Sequence, residues 1–504
     1  MLLILSMEIR RKPARSCRAQ AVAALVISLG SISLSAQASD PRIDSWFTQA
    51  SGQYGRVFLT DGDRLAGRAV STWSRGAISQ TLPAYCGVYE VSSSPTWIYV
   101  RTTGLGSHVM GPWYGNAAHT ALFMNLPKSS ATLYRFPLLP TVPASKTLTG
   151  LGPIGVFVDG VIQFDSRDAF SVTAVGGTEG NPGLGIWNRD AFVNEGVTFD
   201  PANAHQPGSG QYHYHANAIA LRHRLGDHVN FDPVTKLYSE APGSVPPSHS
   251  PILGWVRDGF PVYGPYAFAN PTNAASGVRR MVSGFVPRDV SISAVANRTT
   301  LPAWAARAQS RVSTTLTAAQ AGPAVSTARP FGRYLEDNDY LGDLGRKQGA
   351  DFDLDEHNGR FCVTPEFPNG TYAYFTSLHS DGTPAFPYNV GRQYYGNPTG
   401  GVIPGGNYSE TVSTNFVGGA NSTLRMESPV VSADDGTVTL TWSSVEGGSY
   451  SVTAGDTLKE GLLASVAVHT ATNSTSRVSE PTVGAKPATR FYRVSRSSIA
   501  PYAN

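Results

Sequence analysis

Two histidines, two residues apart, carry the clearest chemistry in this chain. His213 and His215 belong to Tyr212-His213-Tyr214-His215, inside the segment His205–Asn217 (HQPGSGQYHYHAN). In an extended strand successive side chains alternate between faces, so both imidazoles point one way and Tyr212 and Tyr214 the other. Two imidazoles on one face are a chelate for a borderline divalent metal such as zinc or copper. His205 lies across Gln206-Pro207-Gly208-Ser209-Gly210, a run of turn formers, and is placed to fold back as a third ligand.

Other candidates come from farther away. His108 sits in the loop Gly104–Trp113, the kind of segment that delivers a ligand from a distance. His249, between prolines, is a reserve. His223 and His228 lie among Arg222, Arg224 and Asp227 and read as a solvated charged surface, while His119, His357 and His379 have no spacing argument. Asp258, in Val256-Arg257-Asp258-Gly259, is expected at a hairpin tip, where it either orients a ligand imidazole or acts as a general base. Asp159 has the same Asp-Gly setting and reads as turn chemistry. The alternating carboxylates of Asp351, Asp353 and Asp355 are a weaker calcium candidate. Glu356 occupies the glycine position of an EF-hand loop, and a solvated strand edge is favoured. No G-x-S-x-G elbow, H-E-x-x-H helix or phosphate loop is present.

The elements that must position these residues read as mainly β. Gly (52) and Pro (35) are abundant and charge is low, a turn-rich, strand-dominated composition. Strands are expected around Tyr85–Val91, Trp97–Thr103 and Thr132–Leu138. Asp159-Gly160 and Asp258-Gly259 each sit between short apolar runs, the strong two-residue hairpin signal. Residues 271–330 read as a partly helical excursion, with Leu301–Ala321 helix-permissive. Gly, Asn and Ser mark 401–426 as a linker. Alternation in Thr437–Trp442, Tyr450–Thr453 and Arg490–Val494 suggests a small fibronectin type III-like β-sandwich over 427–497, with 498–504 a tail.

The N-terminus reads as a secretory signal over 1–38. A basic segment precedes the apolar Ala19–Leu34, and Ala36-Gln37-Ala38 sets cleavage after Ala38. Removal takes away Arg10, Arg11, Lys12, Arg15, Arg18 and Glu8, leaving 34 basic against 35 acidic residues. That near-neutral balance gives no support for nucleic-acid binding, and no other apolar run is long enough to cross a bilayer. Cys17 lies in the signal. Cys86 and Cys362 remain, and in an oxidising compartment they are expected to form a disulfide, the alternative being two separate buried thiols.

HQPGSGQYHYHAN, followed by ILGWVRDGFPVYGPY, resembles the YHYH-domain family of secreted proteins. SHVMGPW (107–113), GVFVDGVIQF (155–164) and LDEHNGRFCVTPEFPNGTYAYF (354–375) extend the likeness to about 76–400, after a leader over 39–75. One departure is Gln206, which separates His205 from Pro207 where the family has a His-Pro pair. The resemblance implies a large β-rich domain and no settled activity. The expected function is a secreted protein with a divalent transition-metal site (copper or zinc) on His213 and His215, completed by His205 or His108. Metal-activated water acting on an ester, amide or glycan, with Asp258 as base, is one chemistry; copper redox is another. The alternative is a non-catalytic module that captures a glycan or metal and whose histidines are structural.

Overall fold

A computed structural model describes residues 40–174, 177–241, 246, 248–432, 434–457, 463–480 and 490–503. The expected signal over 1–38 lies outside them. The chain divides into two compact units, one of Ser45–Gly419 with Pro501–Asn504 and one built on Ala420–Ala500. The protein is mainly β, as its composition indicated, with few and short helices.

The larger unit is centred on an eight-stranded mixed sheet. Its strands are β1 (Gly155–Phe157), β2 (Ile162–Gln163), β3 (Ala204–His205), β4 (His213–Tyr214), β5 (Ile252–Val256), β6 (Pro261–Tyr263), β7 (Gly359–Cys362) and β8 (Thr371–Phe375), in the order β3-β4-β2-β1-β5-β6-β8-β7. Every residue of β1 to β6 is buried. A sheet covered on both faces calls for nearly continuous apolar runs, and Ile252-Leu253-Gly254-Trp255-Val256 is one. Against that background His205, His213 and Gln163 stand out as buried polar side chains, which are costly unless something satisfies them.

Asp159-Gly160 turns β1 into β2 as the dipeptide predicted. Gly160 has φ +86°, and a Cβ there would meet Thr102 Oγ1 at 2.3 Å, so both the backbone conformation and the close approach require glycine. Asp258-Gly259 likewise joins β5 to β6. A five-stranded sheet stands beside this core, built from Val88–Ser93, Trp97–Thr102 and Thr132–Pro137 with Gly401–Val402 and Ser413–Val417 at its edges. Within the stretch read as a linker, Gly401–Val402 and Ser413–Val417 are strand: polar edge segments with one ladder partner carry little of the alternating apolar signal that marks a half-buried strand.

Two further expectations are corrected. Cys86 and Cys362 are free thiols, both buried. Cys86 lies just ahead of Val88–Ser93 and its thiol donates to Ala50 O at 3.0 Å, whereas Cys362 ends β7, an edge strand of the other sheet. A disulfide demands Cα atoms within about 7 Å and converging Cβ vectors, which sequence cannot test. The helix expected over Leu301–Ala321 spans only Ala303–Ala308. Ser310 takes φ +55° and Arg311 N–H closes back on Ala306 O at 2.8 Å, a left-handed termination that overrides the alanine-rich composition.

The smaller unit has two three-stranded sheets, Val430–Val431, Val438–Ser443 and Thr475–Glu480 in one and Ala464–Thr470, Gly448–Gly455 and Phe491–Ile499 in the other. Alternate residues of Gly448–Gly455 are buried, and Leu440, Trp442, Tyr450 and Val452 share one core. Among the described residues no helix is long and apolar enough to cross a membrane.

Candidate metal centre

The turn at Pro207–Gly210 folds β3 antiparallel onto β4, and Gly210 N–H closes it on Pro207 O at 2.9 Å. The register sets His205 directly opposite His213, the arrangement in which cross-strand side chains meet. His215, two residues beyond His213, falls on the same face. One ring nitrogen from each of the three buried histidines lies within 4.8 Å of the other two, and His213 Nε2 stands 3.0 Å from His215 Nε2. Tyr212 and Tyr214 point away, toward Trp113 and Phe157.

The outer nitrogen of each ring is anchored. His213 Nδ1 lies 2.8 Å from Gln211 O and His215 Nδ1 lies 2.7 Å from Asp165 O. A carbonyl only accepts, so both Nδ1 atoms carry the proton. Thr198 Oγ1 donates to Glu195 O at 2.7 Å, so it accepts from His205 Nδ1 at 2.7 Å. All three Nε2 atoms therefore present lone pairs to a common space. Burial pushes His205 and His213 well below the usual histidine range, with neighbouring imidazoles adding to the effect, and burial also lowers His215. Two lone pairs 3.0 Å apart repel unless a cation stands between them, and burial disfavours a proton in that role. Outer hydrogen bonds that fix the tautomer in this way are the usual setting of metal-binding histidines.

Glu195 completes the arrangement. It ends the short helix Ala191–Glu195, whose first residue follows the capping Asp190. Its Oε2 lies 3.3 Å from His215 Nε2 and 3.7 Å from His205 Nε2. Burial, with Asp168 adding like charge, raises its carboxyl to about 8, and its side chain keeps 28% exposure while those of the histidines are nearly closed off. Sequence reading missed this residue; it stands ten positions ahead of His205 with no spacing signal. Aromatic rings wall the centre, with Phe164 stacked on His213 at 3.8 Å between centroids and Phe199 edge-on to His205 at 4.8 Å.

The sequence profile of the YHYH protein family matches residues 133–388, half of the chain and all four residues of this centre. The chain belongs to the YHYH family. No curated protein and no solved structure matches it.

The name-giving YHYH motif thus sends its two histidines into the centre with His205, but two other predicted residues lie elsewhere. His108 Nε2 is 3.1 Å from the hydroxyl of Tyr212, so it meets the face of the motif that looks away from the histidines. Asp258 stands at the β5–β6 tip, and β5 is three strands from β4. Its carboxylate accepts from Tyr374 OH at 2.5 Å, Gly396 N at 2.9 Å and Phe260 N at 3.2 Å, which makes it the fastener of that turn. His249 Nδ1 donates to Ser250 O at 2.7 Å. The carboxylates of the calcium candidate are divided among separate partners: Asp351 accepts from Lys347 N at 2.8 Å, Asp353 from Arg279 at 2.6 Å and Asp355 from Tyr372 OH at 2.9 Å.

Proposed function

We propose that this YHYH protein is a secreted metalloprotein whose His205, His213 and His215, joined by Glu195, hold one divalent transition metal. The observation that carries the reading is the convergence of three Nε2 lone pairs whose Nδ1 protons are all engaged elsewhere. Imidazole nitrogens with one carboxylate suit zinc or copper, and ligands about 2.1 Å from an ion fit an Nε2 pair as close as 3.0 Å. Such an ion supplies Lewis acidity for activating water or, as copper, a one-electron couple. The chain's own residues orient the three rings, exclude water behind Phe164 and Phe199, and leave access on the Glu195 side. That access supports an exchangeable or reactive centre over a purely structural one. Arg10–Arg18 followed by Ala19–Leu34 supports export, and the alternating strands of 427–497 support a fibronectin type III-like spacer or adhesion module.

Elemental analysis of tag-free protein after incubation with zinc or copper tests the reading. Stoichiometric metal is expected in the wild type and none in His213→Ala/His215→Ala. A wild type without stoichiometric metal overturns it.

A further inference from the structure

On the face of the YHYH motif that looks away from the histidines, one phenol is set between an acceptor and a donor. Tyr212 is buried. Its hydroxyl donates to Asp200 Oδ2 at 2.8 Å and stands 3.1 Å from His108 Nε2. A phenol has one proton, and this one is spent on Asp200. The phenol oxygen therefore accepts from His108, whose Nε2 carries the ring proton. Burial holds the His108 ring far below the usual histidine range, at about 3, so the donor is a neutral imidazole.

Asp200 is a buried base surrounded by neutral donors. Besides Tyr212, its carboxylate accepts from Gly111 N at 2.7 Å, Ala202 N at 2.9 Å and Ala204 N at 3.1 Å. A negative charge kept in such surroundings is costly, and burial raises the Asp200 carboxyl to about 6.

This arrangement suits one chemistry. Removal of an electron from a phenol makes its proton strongly acidic, and a neutral radical results only when a base takes that proton. Here the base already lies along the hydrogen bond, so the transfer needs no rearrangement. The pair also passes from one buried negative charge to none, which burial favours. A route for the electron is present as well. The buried Trp113 ring lies 6.0 Å from that of Tyr212. The next residue, Tyr114, stacks at 4.2 Å on His119, whose side chain is 52% exposed.

We propose that Tyr212 is a redox-active tyrosine that gives one electron to an oxygen-centred radical at the surface, by way of Trp113 and Tyr114, while its proton passes to Asp200. The Tyr212 O–H bond breaks, an O–H bond forms on Asp200 Oδ2, and the oxidant gains one electron. The phenoxyl oxygen then accepts from both Asp200 and His108. No metal takes part, so the step does not depend on whether the histidine centre holds one.

The full chain, stripped of metal with a chelator, is illuminated with tris(bipyridine)ruthenium(II) and persulfate, which together generate ruthenium(III) and the sulfate radical. High-field electron paramagnetic resonance of the frozen sample reads the product. The wild type is expected to give a neutral tyrosyl radical whose largest g value is lowered by hydrogen bonds to its oxygen and which outlasts the radicals of exposed tyrosines. That signal should be lost in Tyr212→Phe and reduced in Asp200→Asn, with melting temperatures showing that both variants fold. A wild type that gives only the short-lived signals of exposed tyrosines overturns the proposal, and so does an unchanged signal in Tyr212→Phe. A folded Asp200→Asn with the wild-type signal overturns Asp200 as the proton acceptor. Should Asp200→Asn fail to fold, Tyr212→Phe decides alone.

Discussion

His213 Nε2 and His215 Nε2 face each other at 3.0 Å while the opposite nitrogen of each ring donates to a backbone carbonyl. Neither ring can turn its proton inward without abandoning a buried hydrogen bond. The pair therefore favours an external cation, and His205, held by Thr198, adds a third lone pair to the same space.

Metal binding is expected to stabilise the folded chain through these three rings. At a zinc concentration about 100 times the dissociation constant, the gain is about 2.7 kcal/mol. Thermal unfolding with and without zinc should show an upward shift in the wild type and none in His213→Ala/His215→Ala.

Thr198 orients the His205 ring through its Nδ1. Thr198→Val keeps the shape but removes the acceptor for His205 Nδ1, which frees the ring to rotate and change tautomer. Metal affinity is expected to fall on the order of 10- to 100-fold, with the fold intact by circular dichroism. Glu195→Gln is expected to weaken metal to a similar degree by removing an anionic ligand. Competition titration against a chelator of known affinity measures both.

Asp190 links the helix that ends in Glu195 to the core and gives stability a pH dependence. Its carboxylate caps the helix through Val193 N at 3.1 Å and accepts from Tyr388 OH at 2.8 Å. Burial nevertheless raises its carboxyl from 3.8 to about 7. The folded chain thus keeps a proton that the unfolded chain releases. This contribution is full below about pH 4 and is lost as the pH rises through about 7. Relative to Asp190→Asn, the wild type should lose up to roughly 1.4 kcal/mol per pH unit across that window. Urea unfolding of both proteins near pH 5 and near pH 8 checks the sign.

Cys86 and Cys362 should titrate as two thiols in denatured protein prepared without reductant. Burial pushes the Cys86 thiol up to about 12 and also raises Cys362. Neither should react with iodoacetamide at neutral pH until the chain unfolds, because the thiolate is the nucleophile. Mass spectrometry before and after denaturation reads both outcomes.

Much of the centre was legible in the sequence because it rests on local geometry. A period of two sets His213 and His215 on one face, a Pro/Gly turn returns His205 to that face, and Asp-Gly marks two of the sheet's hairpins. Glu195 was not legible, because a single carboxylate at the end of a five-residue helix has no pattern of its own. His108 was legible as a special residue but not as to where it goes. The same alternation that gathers the histidines turns Tyr212 outward, and Tyr212 is what His108 meets.

The sequence by itself determined the β-rich class, the same-face pair of histidines and its nearest partner, since these depend on backbone periodicity and turn chemistry within about a dozen residues. Only the tertiary structure decided which distant groups join them. It brought Glu195 to the centre, held Asp258 in a turn three strands away, left Cys86 and Cys362 as separate buried thiols, and set His108 against Tyr212. Those placements depend on strand order and helix docking, which are settled by packing across long sequence separations that no local pattern encodes.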